Sequence, residues 1–392
     1  MTTSQDTGGY WSGLTVAERG VTAAIAAFVG LLFLGLLTGV LTPTYFLFLV
    51  GLSGMYALLS LGLNAQWGYT GLINFSVAAF FGVGAYGAAL LSASGSPLAG
   101  GFDPIFGLLA ALGMAVVLAL VIGVPTLRLR ADYLAIASLG LAEVVRIVVK
   151  NKQDWTNGTA GIRGIPGFFE NWPVLSTFPD AMPGLQIHVP AGPVIELGAP
   201  FYGMLLNVAL VFAFVGVSYA ILARAHRSPW GRVLRTIRSD EDLARALGKN
   251  TYSFKMQAFV LGSLVMALAG VFYAHLNLYV QPGDLDPITT FYVWVAVILG
   301  GSGSTRGAVF GGVVVVTIRQ GTRFLNEFAW LPVDVAPLRL LAIGVIIVLV
   351  MRFRPEGVLP PQKELIWPGS VDEAATTPDS AVNQSTRGDG DE

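Results

Sequence analysis

The chain has 392 residues, of which 54% are hydrophobic and only 12% charged, with a formal net charge of −1 and a mean hydropathy of +0.66. A water-soluble domain carries about 25% charged residues, so apolar surface on this scale has to be hidden in lipid. The net charge carries no signal for nucleic acid, and zero cysteines exclude disulfides, thiolate nucleophiles and Cys-ligated metals.

Residues 1–20 are polar, with Asp6, Glu18 and Arg19, and no small-residue cleavage site follows a short apolar core. They are expected to form a cytoplasmic N-terminal segment ahead of a retained transmembrane helix. Apolar runs then cover about 21–41, 43–64, 76–94, 105–125, 131–150, 203–223, 254–277, 288–303, 307–322 and 338–353. Each approaches the roughly 20 residues needed to cross about 30 Å of hydrocarbon. All should be helical, because backbone left unpaired in lipid is costly. The expected fold is an all-α integral membrane bundle of about 8–10 transmembrane helices over 21–362, with broken or re-entrant segments and an internal repeat. Ten crossings place about 16 of the 23 Lys and Arg on one side, which makes both termini cytoplasmic. Arg146, Lys150, Lys152 and Arg163 run against this count and fall at the opposite face. The tail 363–392, with Asp372, Glu373, Asp379, Asp389, Asp391 and Glu392, is expected to be disordered and cytoplasmic.

The loop 151–202 is expected outside the cell. Gly158, Gly161, Gly164, Pro166 and Gly167 suggest irregular surface structure with a short strand or helix. Glycines also cluster at Gly68, Gly71, Gly82, Gly84 and Gly87, and again at Gly300, Gly301, Gly303, Gly307, Gly311 and Gly312. Such segments fit broken helices lining a central path. Close helix packing explains them equally well, and both can hold.

The loop 224–255 is the most informative stretch. A first helix opens at Ser228-Pro229, an N-cap followed by proline at the first helical position. Trp230, Val233, Leu234 and Ile237 then share one face, and Arg232, Arg235 and Arg238 take the others. A second helix is expected to open at Ser239, with Asp240, Glu241 and Asp242 in its first turn, where acids suit the helix dipole. Ser239 and Asp242 have capping-box spacing. Leu243, Ala244 and Leu247 form a small apolar patch, and Gly248 ends the helix. Two readings compete: an amphipathic pair lying on anionic lipid, and a docking element for a cytoplasmic partner. The acidic triplet argues against simple adsorption to lipid.

Asp242-Leu243-Ala244 with Gly248 resembles the Glu-Ala-Ala…Gly signature of ABC importer permeases, with Asp for Glu and Leu for the first Ala. The surrounding stretches from Arg227 to Glu241 and from Ala246 to Asn250 resemble the branched-chain amino acid permease family of LivM type. So do Thr126 to Ile136 with Glu143 and Arg146, Gly71 to Ser76, Gly84 to Gly87, Asn157 to Ile162, and Arg354 to Leu359. Ala131 stands where that family usually has Gly. The resemblance spans about residues 45–360 in order. It implies a permease that pairs with a homologous second permease, two cytoplasmic ATPases and an external solute-binding protein. Residues 239–248 would then form a coupling helix seated on an ATPase, driving alternating access. The implied cargo is leucine, isoleucine and valine, with urea and short amides as the alternative.

No P-loop is present, since Gly248-Lys249 is followed by Asn250 and lacks the upstream glycine. ATP and Mg are therefore expected on the partner subunits, with no cofactor and no metal on this chain. His188, His226 and His275 are too dispersed to suggest a metal site, and no catalytic residue is expected. Glu143 and Arg146, with Asp132 on the same helix, read as an intramembrane ion pair or as a proton relay. A relay would favour the other class considered, an ion-coupled secondary transporter. Asn64, Asn74, Ser76 and Tyr86 are candidates for the translocation path, and interhelical hydrogen bonding is the competing reading for each.

Overall fold

The computed structural model describes residues 41–98, 100–188 and 194–324, together with 30, 35, 36, 341, 344, 345, 348, 352 and 356–360. The expectations for segment 1–20, for most of the first and last apolar runs, and for the tail 363–392 lie outside the described residues.

Helix α1, Pro43–Leu63, opens on Thr42, whose hydroxyl accepts from the Tyr45 amide, with proline at the first helical position. It continues as a π turn through Asn64–Gly68. An extended segment, 71–76, then leads into α2, Val77–Ser92. Helix α3, Pro104–Thr126, is capped by Asp103, which accepts from the Ile105 amide at 3.0 Å. Helix α4 is Ala131–Asn151. The loop that follows is more ordered than its glycines suggest. It holds the short α5 (Gln153–Thr156), β1 (Ile162–Arg163), the nine-residue α6 (Pro173–Ala181) and a hairpin of β2 (Leu185–His188) with β3 (Val194–Leu197). Next come α7 (Ala199–Arg227), α8 (Pro229–Ser239), α9 (Glu241–Ala246) and α10 (Thr251–Asn277). Strand β4 (Tyr279–Val280), α11 (Pro287–Gly300) and α12 (Thr305–Phe324) complete the described elements.

Among the described residues, four helices are long and apolar enough to cross a membrane: 43–68, α3, α7 and α10. Burial separates them into two kinds. The most apolar windows of the first and of α10 are 78% and 72% buried, while those of α3 and α7 are 33% and 28% buried. The first pair is therefore the centre of the bundle, and the second pair presents apolar residues such as Leu109, Val117, Val217 and Ile221 outward, as lipid contact requires. The central crossing is close. A Cβ at Gly62 would stand 2.6 Å from the Gly262 carbonyl oxygen, and one at Gly262 would stand 2.5 Å from that of Gly62. Small residues at such crossings let the helices gain dispersion contact that lipid does not offer.

Helices α2 and α11 have 16 and 14 residues, or about 24 Å and 21 Å at about 1.5 Å per residue. Both fall short of the hydrocarbon thickness, so the apolar runs 76–94 and 288–303 are shorter as helices than as sequence. The result is an all-α polytopic membrane bundle with two interrupted segments.

The ends of the helices sort into two groups. At one end the Tyr252 hydroxyl reaches the Val124 carbonyl at 3.4 Å, Arg128 lies 5.5 Å over the Tyr252 ring, and the Leu359 amide donates to the Gly300 carbonyl at 3.0 Å. At the opposite end β1 pairs antiparallel with β4, and the Trp172 indole donates to Asp103 at 3.1 Å. The His275 ring nitrogen Nδ1 lies 2.8 Å from the Pro166 carbonyl there. Arg146, Lys150, Lys152 and Arg163 belong to this second end, away from the 224–255 loop.

Candidate functional site

The loop between α7 and α10 is built as expected, with one correction. Ser228 caps α8 by accepting from the Gly231 amide at 3.4 Å. Gly231, Leu234 and Ile237 are buried, while Trp230 and Val233 are partly so. The Trp230 indole donates to Gln257 on α10 at 2.8 Å. Ser239, however, does not open the second helix. It is the last residue of α8, and its hydroxyl donates back to the Thr236 carbonyl at 3.0 Å. The cap of α9 is Asp240, extended at φ −155°, whose carboxylate accepts from the Leu243 amide at 2.9 Å. A carboxylate satisfies the same orphan amide as a hydroxyl and adds charge at the positive end of the helix. Asp242 does not reach back as a capping box would. It pairs with Arg245 at 2.9 Å.

Helix α9 ends in a Schellman arrangement. The Gly248 amide donates to the Arg245 carbonyl at 2.9 Å and the Lys249 amide to the Ala244 carbonyl at 3.1 Å. This places Gly248 at φ +74°, the left-handed region where a side chain is strained.

One face of α9 is anchored and the other is free. Ala244 is 1% exposed, whereas Leu243 and Leu247 are 50% and 65% exposed, and the Asp242 side chain is exposed beside them. Glu241 is the electrostatic anchor. Its carboxylate accepts from the Lys255 ammonium, from Arg245 at 2.7 Å and from the Thr251 hydroxyl at 3.0 Å. Burial alone would raise this carboxyl, but Lys255, then Thr251 and Arg245, together hold it below the ordinary 4.5. An exposed apolar pair flanked by a carboxylate suits a protein cleft better than an anionic lipid surface.

The loop is also fastened to both glycine-rich interruptions. The Arg238 guanidinium donates to the Gly68 carbonyl and, at 3.1 Å, to the Ser302 hydroxyl. The two interruptions meet there. The Gly303 amide donates to Asn64 Oδ1 at 2.7 Å, the Tyr69 and Thr305 hydroxyls lie 2.8 Å apart, and the Trp294 indole donates to the Asn74 carbonyl at 3.1 Å. Gly68 of the first glycine cluster and Gly303 of the second are thus neighbours in space.

Three of the candidate path residues share this region. Asn64, Asn74 and Ser76 are fully buried; Asn64 Oδ1 is bonded across to Gly303, while Asn64 Nδ2 has no partner. Asn74 donates to Gln66 Oε1 at 2.7 Å and accepts from the Ser76 amide at 2.8 Å and from its hydroxyl. Tyr86 is 2% exposed and packs in a separate apolar cluster around Ala85, Val271 and Leu285. Glu143 and Arg146 form a bidentate ion pair, with Arg146 Nε 2.8 Å from Oε2. Asp132 stands about 16 Å away along the same helix at about 1.5 Å per residue.

Two residues central to this geometry were not singled out from sequence as site residues. Gln66 ties the first interruption to α10, donating to the Phe259 carbonyl at 2.8 Å and to Ser263 at 3.1 Å. A glutamine inside an apolar run is itself a signal of interhelical bonding. Arg238 read only as one of three arginines on a polar face, and its partners are 170 and 64 residues away in the chain. Among the described residues, no group of three or more His, Asp or Glu could hold a metal ion.

Comparison with known proteins agrees with this architecture. The family described as "Branched-chain amino acid transport system / permease component" matches residues 45–351. The chain is 32% identical over 321 residues to the high-affinity branched-chain amino acid transport system permease protein LivM of Escherichia coli (strain K12), covering 79% of this chain and 68% of that one. A probable branched-chain amino acid transport permease protein LivM of Methanocaldococcus jannaschii is 25% identical over 350 residues, 80% of this chain and 93% of its own. The LivH permease protein of Salmonella typhimurium is 26% identical over 325 residues, 79% of this chain and 92% of its own. No solved structure matches. The chain therefore belongs to the family of branched-chain amino acid transport system permease components.

Proposed function

We propose that this chain is the membrane-spanning permease subunit of an ATP-driven importer of leucine, isoleucine and valine. A second, homologous permease, two cytoplasmic ATPases and an external solute-binding protein complete the complex. The end carrying α8 and α9 faces the cytoplasm, and α9 docks on an ATPase. ATP and Mg are held by the ATPases, and this chain performs no chemistry of its own.

The observation that carries the reading is the shape of α9. Its inner face is fixed by Ala244 and Glu241, while Asp242, Leu243 and Leu247 project outward, uncovered among the described residues. Behind it, Arg238 connects the docking loop to both helix interruptions. The relatives named as LivM and LivH branched-chain amino acid permease proteins support the same cargo and a paired permease. The test is reconstitution of the complex in proteoliposomes with radiolabelled leucine, and urea as the competing cargo. ATP-dependent leucine uptake is expected, with the ATPase lost from the purified complex in Asp242→Lys. ATP-dependent urea uptake without leucine uptake would reject the cargo. Ion-gradient-driven uptake by this chain alone would reject the class.

A further inference from the structure

A polar cavity opens inside the bundle at the end opposite the docking loop, with a volume of about 220 Å³. That is about seven water volumes at about 30 Å³ each, room for a small solute and not for a peptide. Three charged residues line it: Asp284, on the turn Pro282–Leu285 between α10 and α11, Asp286, whose carboxylate caps α11 by accepting from the Ile288 amide, and Arg319, on α12.

Asp284 accepts from the Tyr273 hydroxyl at 2.8 Å and from the Gln281 amide at 2.9 Å. Burial still pushes its carboxyl up, against the pull of Gln281, Tyr273 and the field of Arg319. A carboxylate in that position gains from a cation brought close. Arg319 donates to the Tyr56 hydroxyl and lies 5.8 Å and 5.3 Å from the Tyr56 and Tyr292 ring centroids. Its planar fork carries five donors and matches a carboxylate.

Gln320 supplies the independent observation. It lines the same cavity, is only 7% exposed, and its Oε1 has no hydrogen-bond partner. A buried acceptor left unmatched is costly, and of the unmatched buried side-chain atoms among the described residues it is the one that lines this cavity, where a donor from a bound molecule can reach it. The rest of the wall includes Leu52, Met55, Leu59 and Phe81, an apolar surface of the kind an aliphatic side chain would cover. None of Asn64, Asn74, Ser76 or Tyr86 lines it.

We infer that this cavity is a transit site for an aliphatic amino acid bound as its zwitterion, with the ammonium at Asp284 and Gln320 Oε1, the carboxylate at Arg319, and the side chain against Leu52, Met55, Leu59 and Phe81. The inference rests on the amino-acid import reading and deepens it by naming the residues that meet the cargo. It also explains why the cavity combines charges of both signs with an apolar wall, which water alone would not need.

The absence of native cysteines makes the site directly testable. Thr289 lines the cavity and is 8% exposed, so Thr289→Cys in the full complex offers a single thiol there. Leucine is expected to slow its modification by a small thiol reagent at least fivefold. Isoamylamine, which lacks the carboxylate, and 4-methylpentanoate, which lacks the amine, should have less than a twofold effect. No slowing by leucine, or equal slowing by all three, overturns the site. Uptake gives a second reading: Asp284→Asn and Gln320→Leu should each lower leucine uptake at least tenfold while the complex assembles normally. Wild-type uptake by both also overturns it. Normal uptake without thiol protection rejects the cavity and leaves the import reading standing, whereas protection without any uptake does the reverse.

Discussion

Replacing Arg238 by Gln removes a side chain of the 224–255 loop that is bonded to both helix interruptions. The lost contacts are a charge-assisted bond to the Gly68 carbonyl and another of 3.1 Å to the Ser302 hydroxyl. Bonds of this type contribute about 1.5–3 kcal/mol each when shielded. Arg238 is partly exposed, so solvent screening brings the pair together to about 2 kcal/mol. At about 1.4 kcal/mol per tenfold, this is roughly a thirtyfold weakening of the link between α8 and the interruptions. The docking face itself is untouched, because Asp242, Leu243 and Leu247 lie on α9. The expected phenotype is therefore uncoupling: ATP hydrolysis continues, while leucine moved per ATP falls at least tenfold in proteoliposomes. Arg238→Lys should be intermediate, since an ammonium keeps the charge but lacks the fork that spans two acceptors. An unchanged ratio of transport to hydrolysis would falsify the link. Loss of the ATPase from purified Arg238→Gln complexes would also refute it, because that outcome assigns Arg238 to docking and not to transmission.

Gly248→Val tests the helix end. No atom lies within 4 Å of a Cβ there, so the whole penalty is backbone strain at φ +74°, about 1–3 kcal/mol. Uptake should fall more than tenfold with membrane insertion intact. Gly248→Asn should be mild, because Asn tolerates the left-handed region; Val and Asn behaving alike would count against the assignment. Glu241 predicts a pH dependence of known sign. Its folded pKa lies below 4.5, so its stabilising effect is complete above the ordinary glutamate range and fades as pH drops through the lower folded value. Amide-exchange protection of the α9 region should weaken below about pH 4.5, and Glu241→Gln should flatten that dependence. A profile with the opposite slope would reject the Lys255–Glu241 anchor. Gln66→Leu should lower the melting temperature in detergent, since it deletes bonds to Phe259 and Ser263 and leaves buried Asn74 without its acceptor, at about 1–3 kcal/mol. An unchanged melting temperature would show the network to be dispensable.

The 224–255 loop was legible from sequence because its determinants are local. Ser228-Pro229, the spacing of Leu234 and Ile237, and Gly248 all act within a few residues of where they stand. The one misreading, Ser239 for Asp240 as the cap, was a choice between adjacent residues with similar chemistry. Either side chain can accept from the first turn, and only the actual end of α8 decides which one does. The glycine clusters were legible as interruptions for the same reason. Their meeting was not, because it depends on Gly303 finding Asn64 across 239 residues of chain.

The cavity shows the limit more sharply. Asp284 sits in a Pro-Gly-Asp turn that reads as ordinary loop, and Arg319 lies in a helix with Arg306 and Arg323, where a basic residue could equally face a lipid headgroup or a partner chain. Neither has a sequence neighbour that announces the other. Asn64, Asn74 and Ser76 were more conspicuous, being polar groups beside glycines, yet in the fold Asn64 Oδ1 accepts from the Gly303 amide, Asn74 donates to Gln66 and Ser76 donates to Asn74, which leaves Asn64 Nδ2 without a partner. That outcome follows from lipid as solvent. A polar side chain near a broken helix is surrounded by backbone groups that have no water to satisfy them, so the nearest amides and carbonyls compete for it first. A side chain on a rigid helix is less exposed to that competition, as Gln320 on α12 shows, whose Oε1 has no partner. The pointer to the path is an unmatched buried group that also lines a cavity: Gln320 Oε1 does both, whereas Asn64 Nδ2 and the Tyr86 hydroxyl are unmatched and do not line it.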